Sequence, residues 1–255
     1  MKKVSKGIEP ARLRHYRTQQ PANTWEQFRS TQDRRIETQQ RLIVDQGGLC
    51  AYCEIDLLQS TGHDESDFRV EHFHPKSGQS TPHNWHLDWQ NLLGCCHGGS
   101  QRNVVDAGNR FTSPDSSCDV PKGDKNLDGV ILNPLLIPAF PRLFSCDRAS
   151  GHFSVDANNC LLANINAQTA QNTIDELHLD AERLKRLRSA VLNDLNAQLQ
   201  TLVTQGMSIG IARERLAKAI LRKNASGHWP KFFTSIRSYL GDAAETHLSA
   251  INYNG

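Results

Sequence analysis

Leu49-Cys50-Ala51-Tyr52-Cys53 opens, and Cys118-Asp119-Val120-Pro121-Lys122 closes, the stretch whose reading decides the fold of this 255-residue chain. Between them lie Val70-Glu71-His72-Phe73-His74-Pro75-Lys76 and Asn91-Leu92-Leu93-Gly94-Cys95-Cys96. The gap between Cys50 and Cys53 is that of a zinc knuckle, in which one tight turn aims both sulfurs at a single ion. A second pair has to complete the tetrahedron. Cys96 and Cys118 are the candidates, with Cys95 as the alternative to Cys96, although the long insertion before Cys118 departs from a compact second knuckle. A redox use of the first pair needs a strand–helix–strand setting, and none surrounds Cys50. The thiols read as a closed, structural zinc site.

Glu71 and His72 carry the second signal. Neighbours on a strand point to opposite faces, so the carboxylate can address a metal while the imidazole addresses a substrate. An unperturbed imidazole pKa of about 6.5 suits a general base at neutral pH. Asn91 follows a Trp-rich turn and is placed to bond backbone and hold the His72 loop. Asp119 offers a second oxygen ligand. His63, His83, His86 and His97 read as loop polarity, and His74, before Pro75, as the end of the strand.

These residues resemble the HNH nucleases, whose ββα-metal fold is often stapled by a four-cysteine zinc. In that family a histidine follows an acid, an asparagine lies in an N-L-x-x-x-C run, and the last element is C-N/H/D-x-x-K. Here these are Glu71-His72, Asn91-Leu92 running to Cys96, and Cys118-Asp119 running to Lys122. The count from Asn91 favours Cys96 over Cys95. More narrowly, Ile8-Glu9-Pro10, Gln46 to Glu54 and Glu71 to Lys76 resemble the nuclease subunit of Septu-type anti-phage systems (PtuB-like), some of which accompany retrons. The likeness covers most of residues 1–195. Asp119 stands where many HNH nucleases carry asparagine or histidine.

The resemblance implies a metal-dependent endonuclease with His72 as general base and Asn91 orienting its loop. Glu71 and Asp119 would hold Mg²⁺ or Mn²⁺, Cys50, Cys53, Cys96 and Cys118 the zinc, and Lys76 and Lys122 would face substrate phosphate. It also implies an ATPase partner, docked on the helical C-terminal part. DNA is the favoured substrate, with RNA such as tRNA as the alternative. Two rivals stand beside it: a zinc-stabilised nucleic-acid or protein-binding module without catalysis, and a thiol enzyme using Cys95 or Cys96 as nucleophile.

A net charge of +2 and a pI near 8.2 are only mildly basic, so any nucleic-acid surface has to be local. No positively charged leader precedes an apolar segment, and the run from Val130 to Phe140 is too short and too broken by proline to span a bilayer. Seven cysteines point to a reducing compartment and metal use, hence a cytoplasmic chain off the membrane. Cys146 and Cys160 have no partner spacing and read as structural or incidental.

The organisation expected is α+β, with a zinc-stapled ββα-metal core between an N-terminal helix and a mostly helical C-terminal region. Residues 1–46 form a basic arm and helix, 47–160 the nuclease domain, and 161–255 the helical region. Lys2, Lys3, Lys6, Arg12, Arg14 and Arg17 read either as a phosphate-binding arm or as a solvated terminus. One helix is expected from Asn23 or Thr24 to about Gln46, with a charge-balanced polar face. Strands are expected over Phe68 to Phe73 and Gly129 to Pro134, and a hairpin over Leu143–Ser145 and His152–Val155. Trp89 reads as core and Trp85 as open, either able to stack on bases. Arg102 and Arg110, in the loop from Ser100 to Ser117, are possible nucleic-acid contacts. Helices follow over Ile165 to His178, from a cap at Asp180 to Val203, over Ile209 to Lys223 and over Lys231 to Leu240. Arg183, Lys185, Arg186 and Arg188 could bind phosphate or a protein partner, but read first as a solvated face.

Overall fold

Helices and two small sheets build the chain in the computed structural model, which describes residues 1–58, 66–76 and 82–255. His63, Ser77 and parts of the loops around them lie outside the described residues. The N-terminal part holds α1 (Ala11–Gln19), α2 (Trp25–Arg29) and α3 (Gln32–Gln46). The expected single helix is broken at Ser30 and Thr31. Thr24 closes a capping box with Gln27 at the start of α2, and Thr31 is extended before α3. At the other end Gly47 adopts φ 61°, and the N–H groups of Gly47 and Gly48 bond to the carbonyls of Val44 and Ile43. A Cβ on Gly47 would fall 2.4 Å from the Trp229 ring, so glycine is required there twice over. The helix therefore stops where it must release the chain into the Cys50–Cys53 turn.

Gln46 fastens that junction. Its buried side chain donates to the carbonyls of Leu49 and Gly94 and accepts from the Gly94 N–H at 2.6 Å. Gly94 lies in β2 (Leu92–Cys95), which pairs antiparallel with β1 (Arg69–His72), Glu71 opposite Leu93 and His72 opposite Leu92. The alternation read over Phe68 to Phe73 thus gives a strand. After β2 come α4 (Ala107–Arg110) and the one-turn α5 (Asp119–Lys122). The expected hairpin is present as β3 (Phe144–Cys146) and β4 (Phe153–Val155). No strand forms over 129–134, which runs through turns.

The remaining chain is helical: α6 (Ala157–Leu162), α7 (Ala167–Glu176), α8 (Glu182–Thr204), α9 (Ile209–Ile220), α10 (Phe233–Leu240) and α11 (Asp242–Ala250). The apolar stripe of α8 divides between two cores. Leu184 joins the one around the cysteines, β1–β4 and α7, while Leu192, Leu195 and Leu199 join the one built with α9, α10 and α11. Asp180 does not cap α8. Its carboxylate accepts from the Phe153 N–H at 2.8 Å and pairs with Arg188 at 3.5 Å.

Several cations read as solvent-facing are interior. The first residues are folded rather than a free arm: Met1 and Val4 are buried, Lys2 is 5% exposed, and Lys6 packs over the Trp89 ring at 3.5 Å. Trp89 is core, as expected, and Trp85 stacks on His74 at 4.0 Å. Arg183 and Arg188 are each 2% exposed, the second lying over Phe153 and bonding to the Gly151 carbonyl at 3.0 Å. Arg110 is no nucleic-acid contact: it is 3% exposed and pairs with Asp67 and Asp56, each at 2.8 Å. Removing one partner of a buried ion pair leaves an uncompensated charge, which costs about 3–5 kcal/mol. Arg110→Ala, which strands the 2% exposed Asp67, is expected to lower the urea-unfolding free energy by about that amount, whereas Arg102→Ala should change it by less than ~0.5 kcal/mol. Equal effects of the two would contradict this assignment.

Candidate active site

Four buried thiols converge. The sulfurs of Cys50, Cys53, Cys96 and Cys118 all lie within 4.8 Å of one another, with Cys50–Cys118 at 3.8 Å and both Cys53–Cys96 and Cys96–Cys118 at 3.7 Å. A zinc–sulfur bond of about 2.3 Å puts the edge of a tetrahedron at about 3.8 Å. The donor set and its spacing fit a zinc ion with no open position. Cys95, fully buried in β2, stands outside the group, so the structure brings in Cys96 of the two neighbours. The backbone adapts to this convergence: Glu54 after the first pair and Cys118 both have positive φ, and the Cys118 N–H bonds to the Leu177 carbonyl. Arg183 reaches the same region, donating to the Ser117 hydroxyl at 2.8 Å with that oxygen 3.7 Å from the Cys118 sulfur. A buried cation beside four thiolates offsets part of the negative charge that a zinc tetrathiolate carries.

Asp119 follows Cys118 directly, so the sulfur cluster also fixes where that carboxylate lies. It meets Arg69 Nε through one oxygen, and its other oxygen is buried with no hydrogen-bond partner among the described residues. Arg69 is two residues before Glu71 on β1, hence on the same face of the strand. Lys122 Nζ lies 2.8 Å from Glu71 Oε1 and donates to the His72 carbonyl at 3.0 Å. With 1% exposure, Lys122 faces inward and is neither solvated nor at the cleft surface. Burial, then the charge of Asp119, pushes the Glu71 carboxyl above its ordinary range in spite of Lys122. Burial likewise raises Asp119 against the pull of Arg69. Two carboxylates desolvated side by side, one with an unsatisfied oxygen, form a donor set that fits a hard divalent cation.

His72 ends β1, 5% exposed, with the Trp25 ring edge-on at 5.4 Å. Its Nε2 lies 3.1 Å from the His86 carbonyl. A carbonyl can only accept, so Nε2 carries the proton and Nδ1 keeps the lone pair. Burial takes the imidazole down to about 3 instead of leaving it at its ordinary value, so the ring is neutral at neutral pH. Asn91 bridges the loop that leaves β1: its Oδ1 accepts from the His74 N–H at 2.7 Å, and its Nδ2 donates to the His74 and Trp85 carbonyls, each at 2.9 Å. His74 itself bonds Asp128 at 2.5 Å, beyond the strand.

Glu71, His72, Asp119 and Lys76 line one cleft of about 1070 Å³, shared with Arg69 and His97 and walled by α2 and α3. Lys76 pairs with Glu26 at 3.0 Å. Arg69, His86 and His97 were not legible as site residues. The i, i+2 relation of Arg69 to Glu71 was the one signal for it, while the His86 contribution is a backbone carbonyl that any residue could supply.

No family model matches the chain. Over 265 aligned residues it is 32% identical to an Escherichia coli protein named "Retron Ec83 putative HNH endonuclease", the match covering 94% of this chain and 93% of that protein. The chain belongs to the family of that protein, the retron-associated HNH nucleases.

The thiol geometry gives a direct expectation. Purified chain should carry one zinc per molecule by elemental analysis; Cys53→Ser should lose it, and Cys95→Ala should keep it. Retention in the first variant or loss in the second would reassign the ligands.

Proposed function

We propose that the chain is a metal-dependent HNH endonuclease that hydrolyses phosphodiester bonds of nucleic acid, DNA in preference to RNA. Its place is that of effector nuclease in a cytoplasmic anti-phage defence system, acting with an ATPase partner. The observation that carries the chemistry is the meeting of Glu71, His72 and Asp119 in one cleft, under a loop held by Asn91. In this reading β1, β2 and α5 are the ββα core, and the retron name of the relative and the Septu-type resemblance support the defence role.

A phosphodiester is a weak electrophile with a strongly basic leaving oxygen, so hydrolysis needs an activated water and positive charge near the phosphate. The Nδ1 lone pair of His72 takes the proton from water as the oxygen attacks phosphorus, and the 3′-oxygen departs. Burial keeps the ring neutral and that lone pair unprotonated at neutral pH, while making it a weaker base than the ordinary imidazole expected from the sequence. Hydrogen bonds from Asn91 to two carbonyls of the loop hold the imidazole against the wall formed by Trp25. Glu71 and Asp119 would hold Mg²⁺ or Mn²⁺, which supplies positive charge for the phosphate and the leaving oxygen. Lys122 keeps Glu71 in place from behind. The thiols of Cys95 and Cys96 are fully buried, which leaves no accessible nucleophile for thiol chemistry at that pair.

The test is cleavage of labelled plasmid, single-stranded DNA and tRNA with Mg²⁺, Mn²⁺ or chelator, with and without the ATPase subunit. His72→Ala should abolish cutting with zinc content and circular dichroism unchanged, and Asn91→Ala should slow it about 10- to 100-fold. Wild-type cutting by His72→Ala would refute the base assignment, and cutting in chelator would refute the metal requirement.

A further inference from the structure

The acids and bases of α3 are balanced in sequence but sorted in space. Asp33 and Glu37 turn toward α1, where Arg12 meets them at 3.9 and 3.7 Å. Gln32, Arg35 and Gln39 recur at three and four residues, hence along one side of the helix. That side is a wall of the cleft holding Glu71, His72 and Asp119, and Arg29 at the end of α2 extends the row. Arg35 is exposed there, with no ion pair to an acid among the described residues. Arg29 and Lys76, the other cations of this wall and its rim, share one anion: Glu26 meets Arg29 Nε through Oε2 and Lys76 Nζ through Oε1. A single carboxylate between two cations occupies the place a phosphate would take.

We propose that this face of α2 and α3 seats the sugar–phosphate backbone of a nucleic-acid strand, with Arg35, Arg29 and Lys76 neutralising its phosphates. Glu26 is the internal anion that holds two of these cations in position until a phosphate displaces it. The assignment rests on the nuclease reading for the identity of the ligand, and it gives a chain of near-neutral net charge the local basic surface that reading requires.

The test is fluorescence anisotropy of labelled single- and double-stranded DNA and RNA oligonucleotides, over a range of NaCl and with no Mg²⁺ or Mn²⁺ added. Arg35→Ala and Arg29→Ala should each weaken binding several-fold and reduce the slope of log K against log salt by about 0.7–0.9, the loss of one phosphate contact. Glu26→Gln should act in the opposite direction and tighten binding, and Arg12→Ala, on the far side of α3, should leave it unchanged. Parental affinity and slope in both arginine variants, or weaker binding by Glu26→Gln, would overturn the proposal. The two readings separate cleanly. Binding that responds as expected without cleavage on adding Mn²⁺ together with the ATPase subunit refutes the nuclease and keeps the strand seat, and cleavage with unresponsive binding does the reverse. A wild-type chain that binds none of the oligonucleotides refutes the strand seat outright.

Discussion

Four sulfurs drawn to one point hold together pieces of chain that have little else to bind them. The paired strands β1 and β2 are four residues each, far too short to stand alone, and α5 is a single turn. The cluster ties the turn after α3 to the end of β2 and to the residue before α5, so Asp119 and the rim of β1 inherit their separation from the thiols. Gln46 reinforces the same junction from α3 through Gly94, and Arg183 reaches it from α8. The helical C-terminal part is thereby coupled to the centre through a buried cation rather than through apolar packing alone.

The cleft is built from charges that would be costly to bury singly. Glu71 is set against Lys122 and Asp119 against Arg69, while His72 is kept neutral. Each carboxylate has a protein cation on one side, and one oxygen of Asp119 has no hydrogen-bond partner among the described residues. Such pairing adds little net stability, but it holds the acids in register and leaves their electrostatic pull for whatever enters the cleft. The opposite wall, with its row of arginine and glutamine, has the complementary character.

Much of this centre was legible in the sequence because its determinants are local. The Cys50–Cys53 spacing and the acid–histidine dipeptide on an alternating strand describe geometry within a few residues, while the choice of Cys96 over Cys95 comes from the resemblance to the HNH nucleases. The misread cations fail for the opposite reason. Arg110 is buried by Asp56 and Asp67, and Arg188 by carbonyls at 151 and 179, partners that no local pattern joins to them. The helix stop at Gly47 carries a local glycine signal, whereas the break at Ser30 and Thr31, where Thr31 turns extended with no side-chain cap bond, and the turns over 129–134 carry no comparable signal in the sequence. The balance of charge along α3 does not say which side of the helix each charge occupies: Asp33 and Glu37 face Arg12 of α1, while Arg35 lies on the cleft side.

One arrangement of chain makes both the thiol cluster and the proposed carboxylate site, and anomalous diffraction from crystals of His72→Ala grown with Mn²⁺ tests whether each holds its metal. Scattering at the zinc edge should place an ion among Cys50, Cys53, Cys96 and Cys118, and scattering at the manganese edge should place another against the carboxylates of Glu71 and Asp119. Zinc elsewhere, or manganese bound away from that carboxylate pair, would contradict it.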